Sequence, residues 1–175
     1  MRNYPLALYG HPALNIVATP VEQSEFGSPD LVDLVVDMFH TMYMANGVGL
    51  AAPQIAITRR VAVVDTSAGK HPETKLVLIN PEIISRHGHQ ETQEGCLSLP
   101  GVSAICPRSQ EVTVRAWTVN GEERVIEANG LLAQAIQHEV DHLDGRLYVW
   151  HLSSLKRKLI LDRFRKLHAS SAGRG

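Results

Sequence analysis

Only two cysteines, Cys96 and Cys106, occur in the 175 residues. In a chain of this length that argues against a disulfide framework and for a reducing compartment. No apolar run approaches the roughly 20 residues of a membrane span. Met1 and Arg2 are not followed by the apolar core of a secretory signal, so the expectation is a cytoplasmic protein with no membrane partner. Aromatic residues are scarce at 5% and charged residues make up 20%, against 44% apolar. That is too apolar for a disordered chain and enough for a substantial core. Internal repeats and low-complexity linkers are also lacking. Residues 1–168 are therefore expected to form one domain, with a basic helix over 153–168 and a flexible tail over 169–175.

Acidic residues are nearly absent from one end. The net charge is −1, yet from Ser153 onward seven basic residues accompany a single acid, Asp162, for a local net charge of +6. Such segregation fits an anionic partner such as nucleic acid, or simply a solvated helix face.

What is present begins with periodicity. Ser28-Pro29 reads as a helix start, cap then first turn. Leu31, Leu34, Val35, Met38 and Met42 follow at helical spacing, and Gly47 and Gly49 are expected to end that helix. Residues 60–65 and 75–80 read as strands, with Pro81 limiting the second. Residues 83–93 read as one strand plus a loop. Residues 111–119 alternate as a strand, Asn120-Gly121 signals a two-residue hairpin, and 124–127 return antiparallel. A helix follows over 131–143, with Leu132, Ala135, Ile136, Val140 and Leu143 as its apolar stripe. A last helix over 153–168 points Leu155, Leu159, Phe164 and Leu167 inward. Antiparallel strands with a helix toward each end of the chain indicate an α+β fold.

The chemistry concentrates in QHEVDH, residues 137–142. On a helix, His138 and His142 lie about 40° apart around the axis and one turn up, so both can reach one ion. Glu139 lies about 100° from His138 and can touch a water on that ion without ligating it. The plain alternative is a helix whose His and Glu face solvent or a polar pocket. A third ligand decides, and three candidates arise. The extended pattern ending in a third histidine fails at Tyr148, and no methionine lies downstream for the turn that class requires. Asp162, on the following helix, is the option of a zinc peptidase, although its basic neighbours favour an ion pair. Cys96, in the Gly- and Pro-flanked loop EGCLSLP, would give a tetrahedral thiolate-diimidazole site with one open position. Cys106 reads as a small apolar residue.

GVGLAAPQ, residues 47–54, formally matches a dinucleotide fingerprint. It follows a helix rather than a strand, and Pro53 interrupts any helix it could open, so no dinucleotide cofactor is expected. Its glycines instead permit close backbone approach to a ligand, and Gln54 supplies an amide.

GVGLAAPQ, EGCLSLP and QHEVDH, in that order, resemble the three signature motifs of the peptide deformylases, which remove the N-formyl group from newly made bacterial and organellar proteins. The resemblance runs from Tyr9-Gly10-His11-Pro12 to the C-terminal helix. It implies an α+β fold with antiparallel sheets around a central metal-binding helix. It implies Cys96, His138 and His142 as ligands of one divalent ion, Fe²⁺ in the cell, with Zn²⁺, Ni²⁺ or Co²⁺ possible in preparations. Glu139 would be the general acid/base, and Gln54 with the Leu97 N–H the oxyanion site. Val48, Gly49, Glu94 and Gly95 would bind substrate, with Leu131, Ala135 and Val48 around the methionine side chain. The partners implied are formyl-Met nascent peptides and, through the basic C-terminal helix, the ribosome. Two residues depart from the family pattern: Ser103, where many members place a larger side chain, and Gln134, at a commonly apolar helix position. Glu94 and Asp141 are candidates to hold the ligating histidines, although an ion pair with Arg108 is the favoured reading of Asp141. His87 and His89 read as surface residues, and Trp117 and Trp150 as packing.

Overall fold

A computed structural model describes the backbone of residues 1–172 and the side chains of residues 1–169. The first helix, α1 (Pro29–Met44), is capped by the Ser28 hydroxyl, which accepts from the Leu31 N–H. It ends earlier than its glycines suggest. Asn46, not Gly47, takes the left-handed conformation, at φ 56°. The N–H groups of Asn46 and Gly47 then close on Tyr43 and Met42 carbonyls, a Schellman cap.

Five strands form one antiparallel sheet in the order β1 (Gly49–Ala51), β2 (Val61–Val64), β3 (Leu76–His87), β6 (Glu111–Trp117), β7 (Glu123–Asn129). Two more, β4 (Gln90–Gly95) and β5 (Ser103–Arg108), pair with each other in a second sheet. The second long helix, α2 (Gly130–Leu143), crosses the inner face of the large sheet. Its Ala133, Ile136, Val140 and Leu143 pack on Ala62, Val64, Leu78 and Val114. The alternate residues of β2, Val61 and Val63, pack on Leu31, Val35, Met38 and Met42 of α1. A continuous VAVV run thus fits a strand buried on both faces. The fold is α+β, with antiparallel sheets around α2.

Several expectations need correction. Pro81 does not end its strand. β3 runs through it because the pairing with β6 is irregular between Ile79 and Glu82, where Asn80 adopts φ 49°. A bulge leaves the missing N–H of proline without a ladder partner to lose. Residues 83–93 are not one strand plus a loop; they hold the end of β3 and the first four residues of β4. The hairpin after β6 is longer than two residues: the Thr118 N–H donates to the Glu122 carbonyl, and only Gly121 has positive φ in that turn. The last helix, α3 (Ser154–Ala172), turns Leu161 and Phe164 inward and leaves Leu155, Leu159 and Leu167 exposed.

α3 also continues past His168, so residues 169–172 are helical, and residues 173–175 of the expected tail lie outside the described residues. Trp150 is not core packing; it is exposed, with the Arg157 guanidinium 4.7 Å over its ring. Cys106 is fully buried beside Leu99 and Tyr148, as a small apolar residue should be, and burial pushes its thiol up to about 12. No helix among the described residues is long and apolar enough to cross a membrane.

Candidate metal centre and substrate cleft

α2 presents His138 and His142 one turn apart, and the loop after β4 brings Cys96 against them. The ligand atoms of the three residues lie within 4.8 Å of one another, and Cys96 Sγ is 3.2 Å from His142 Nε2. Burial opposes ionisation of the Cys96 thiol, but the adjacent histidines outweigh it and hold the pKa well below an ordinary thiol. Burial likewise disfavours a charged His138, yet its contacts with Cys96 and Glu94 raise its pKa well above the usual range. A proton on His138 thus balances negative charge where a cation would serve as well. The donor set, one thiolate and two imidazoles with room for a further ligand, suits a divalent transition metal.

His138 Nδ1 lies 2.9 Å from Glu94 Oε2, which turns Nε2 toward the thiol. Glu94 is buried and bound twice by Arg108, through Nε at 2.5 Å and Nη2 at 2.9 Å. Arg108 in turn donates to Asp141 at 2.7 Å, and Asp141 also meets His151 at 2.7 Å. Burial raises both carboxyls, but their partners prevail and hold each at about 2. Asp141 is therefore the Arg108 ion pair, and the Glu94 carboxylate faces the histidine and arginine rather than a ligand. Arg108 and His151 were not singled out as functional; their partners come from segments remote in sequence.

A cavity of about 390 Å³ opens beside the ligand cluster. Val48, Gly49, Gln54, Glu94, Gly95, Cys96, Leu97, Leu131, Ala135, His138 and Glu139 all line it. His142 is the deeper ligand and sits behind this surface. Glu139 is fully enclosed, and burial pushes its carboxyl up to about 7 against the pull of both histidines. Its Oε2 has no hydrogen-bond partner among the described residues. A Cβ on Gly49 would overlap that carboxylate, and one on Gly47 would stand 2.8 Å from Leu97 Cδ1. Gly49 is thus required by what packs against it, whereas at Gly47 the leucine methyl could give way.

Gln54 sits in a short 3₁₀ turn, Ala52–Ile55. Its Oε1 accepts from the Ala51 N–H at 2.9 Å, which aims Nε2 at Ser98 Oγ and Cys96 Sγ, 3.3 and 3.5 Å away. The Val48 carbonyl is taken by the Asp65 N–H at 2.8 Å. By the alternation of an antiparallel ladder, Gly49 next to it turns its own N–H and carbonyl to the free edge of β1. The Gln93 carbonyl accepts from Gln134 on α2, so it and Gly95, two residues on, face the free edge of β4. Two unpaired strand edges therefore border the cleft.

Asp162, the alternative ligand, pairs with Arg165 at 3.1 Å and lies outside the cluster. His87 and His89 are exposed. Ser103 accepts from Gln93 Nε2 at 2.6 Å at the cleft rim.

The Polypeptide deformylase family model matches residues 3–158. This chain belongs to the peptide deformylase family. It is 49% identical over 163 residues to a peptide deformylase of Acidobacterium capsulatum, covering 93% of this chain and 94% of that one. A crystal structure of a peptide deformylase from Legionella pneumophila superposes with a TM-score of 0.91 at 40% identity, covering 99% of this chain and 100% of that one. A Met-Ala-Ser-bound class I type b peptide deformylase from Acinetobacter baumannii gives a TM-score of 0.81 at 35% identity over 86% of this chain and 99% of that one. The deformylase matches cover the ligand cluster, the cleft and α2 alike.

Proposed function

We propose that this chain hydrolyses the N-formyl group from the terminal methionine of newly made cytoplasmic proteins, releasing formate. The observation that carries the reading is Glu139: a buried carboxyl raised to about 7, with one oxygen unpartnered among the described residues, beside a Cys-His-His cluster and lining a cleft. Cys96 Sγ and the two imidazoles would hold the divalent ion, Fe²⁺ in the cell. That ion supplies Lewis acidity and an acidified water. Cys96 brings a thiolate without needing a separate base, because the histidines already depress its pKa. Glu94 and Arg108 fix the His138 ring.

Glu139 takes a proton from the attacking water as its oxygen bonds to the formyl carbon. Gln54 Nε2 and the Leu97 N–H bear on the developing oxyanion. Glu139 then delivers the proton to the departing nitrogen as the C–N bond breaks, leaving formate and a free amine. Gly49 and Gly95 would grip the peptide backbone through their free strand edges, and Val48, Leu131 and Ala135 would surround the methionine side chain. Formate release from a formyl-Met peptide by metal-loaded protein tests the reading. Gln54→Ala is expected to lower kcat by ~10²–10³ with metal retained. Full turnover in that variant would remove Gln54 from the oxyanion site.

The basic α3, with Lys156, Lys158 and Arg163 exposed, suits docking to an RNA-rich surface such as the ribosome. Replacing those three by glutamate should weaken ribosome co-sedimentation; undiminished co-sedimentation would exclude docking through this helix.

A further inference from the structure

Gln134 lies on α2 between Leu131 and Ala135 and lines the cleft with them. It precedes His138 by four residues, so it stands about one helical turn, roughly 5–6 Å, out from the ligand cluster. β4 recedes from Cys96 in step, through Gly95 and Glu94 to Gln93. The two elements meet where Gln134 Nε2 donates to the Gln93 carbonyl at 3.1 Å. Around them the cleft is largely apolar, with Leu97, Leu99 and Val102 in its wall. Gln134 adds a polar amide to that wall.

Its orientation is fixed by a backbone carbonyl, which does not move with solvent. A glutamine amide has two N–H donors and one acceptor oxygen. Only one of those donors is used among the described residues, so the second N–H and Oε1 are left for a ligand. The unbranched side chain of methionine spans about the same one-turn distance. A first residue whose formyl carbonyl sits by the cluster would thus place the end of its side chain at Gln134.

We infer that Gln134 is a specificity-determining residue that hydrogen-bonds the far end of the first side chain, so that the site accepts unbranched, polar-ended side chains, formyl-methionine sulfoxide among them, beside formyl-methionine. This rests on the deformylase reading of the same cleft. In a purely apolar pocket the sulfoxide oxygen would lose its hydrogen bond to water without replacement. Gln134 supplies that replacement through its free N–H.

The test compares kcat/KM for three formyl tripeptides that differ only in their first residue: norleucine, methionine and methionine sulfoxide. Wild type, Q134L and the nearly isosteric Q134M are assayed with metal content measured. The expected result is a sulfoxide-to-norleucine ratio roughly 3–10-fold lower in both variants, with norleucine turned over at least as fast. An equal loss on all three peptides would overturn the inference, since Gln134 would then only hold β4 to α2. Metal-loaded wild type that turns over none of the three would bring down the deformylase reading itself, and the inference with it.

Discussion

Glu139→Gln is expected to lower formate release by ~10²–10⁴ while metal content stays at the wild-type level. The substitution keeps the size of a side chain that is wholly buried against Gly49, so packing is conserved. Among the described residues it removes the one group at the cleft with a raised pKa and an unpartnered oxygen. A neutral amide cannot accept the proton of water. Formate assay and metal analysis on the same preparation separate the possibilities. Undiminished turnover would remove Glu139 as proton carrier. Metal loss in parallel with activity would assign the defect to the binding site.

Arg108→Ala is expected to destabilise the protein by ~3–5 kcal/mol, because it strands two carboxylates away from solvent. Glu94 and Asp141 depend on one guanidinium whose side chain is only 3% exposed. For a chain of this size that corresponds to a Tm lower by roughly 6–20 °C. The same carboxyls set the response to acid. Both are held at about 2 in the folded protein, below the ~4 of an unfolded carboxyl, so their contribution is complete above about pH 5 and fades as pH falls toward 2. Thermal melts from pH 7 to 3 on both proteins check the two effects together. Arg108→Ala should flatten that acid dependence as well as lower Tm. A Tm within a degree or two of wild type would show that the two carboxylates find other partners.

α2 and its histidines were legible because periodicity and the four-residue spacing lie within one continuous helix. Cys96 could be argued from its glycine- and proline-flanked loop, with the ordered motifs to support it. β4 was not legible. Its sequence QETQEG has no apolar alternation to betray a strand, and it is held by pairing with β5 and by α2 rather than by a buried face of its own. α3 misled for a different reason. Leu155 and Leu159 satisfy helical spacing as well as Leu161 and Phe164 do, and only tertiary packing against Tyr9, Leu99, Cys106 and residues 147–152 decides which pair is covered. The Asp141–Arg108 pair could be read, but the links from Arg108 to Glu94 and from Asp141 to His151 were hidden, because β4, β5, α2 and the turn Tyr148–His151 each contribute one member.

The two free strand edges beside the cleft have a consequence for the range of clients such a site can serve. Main-chain N–H and C=O groups are the same in every protein a cell makes. An active site that holds its client by these groups beyond the first residue asks nothing of the message encoded downstream. One enzyme can then process the beginnings of a whole proteome, with discrimination confined to the one residue that all of those beginnings share.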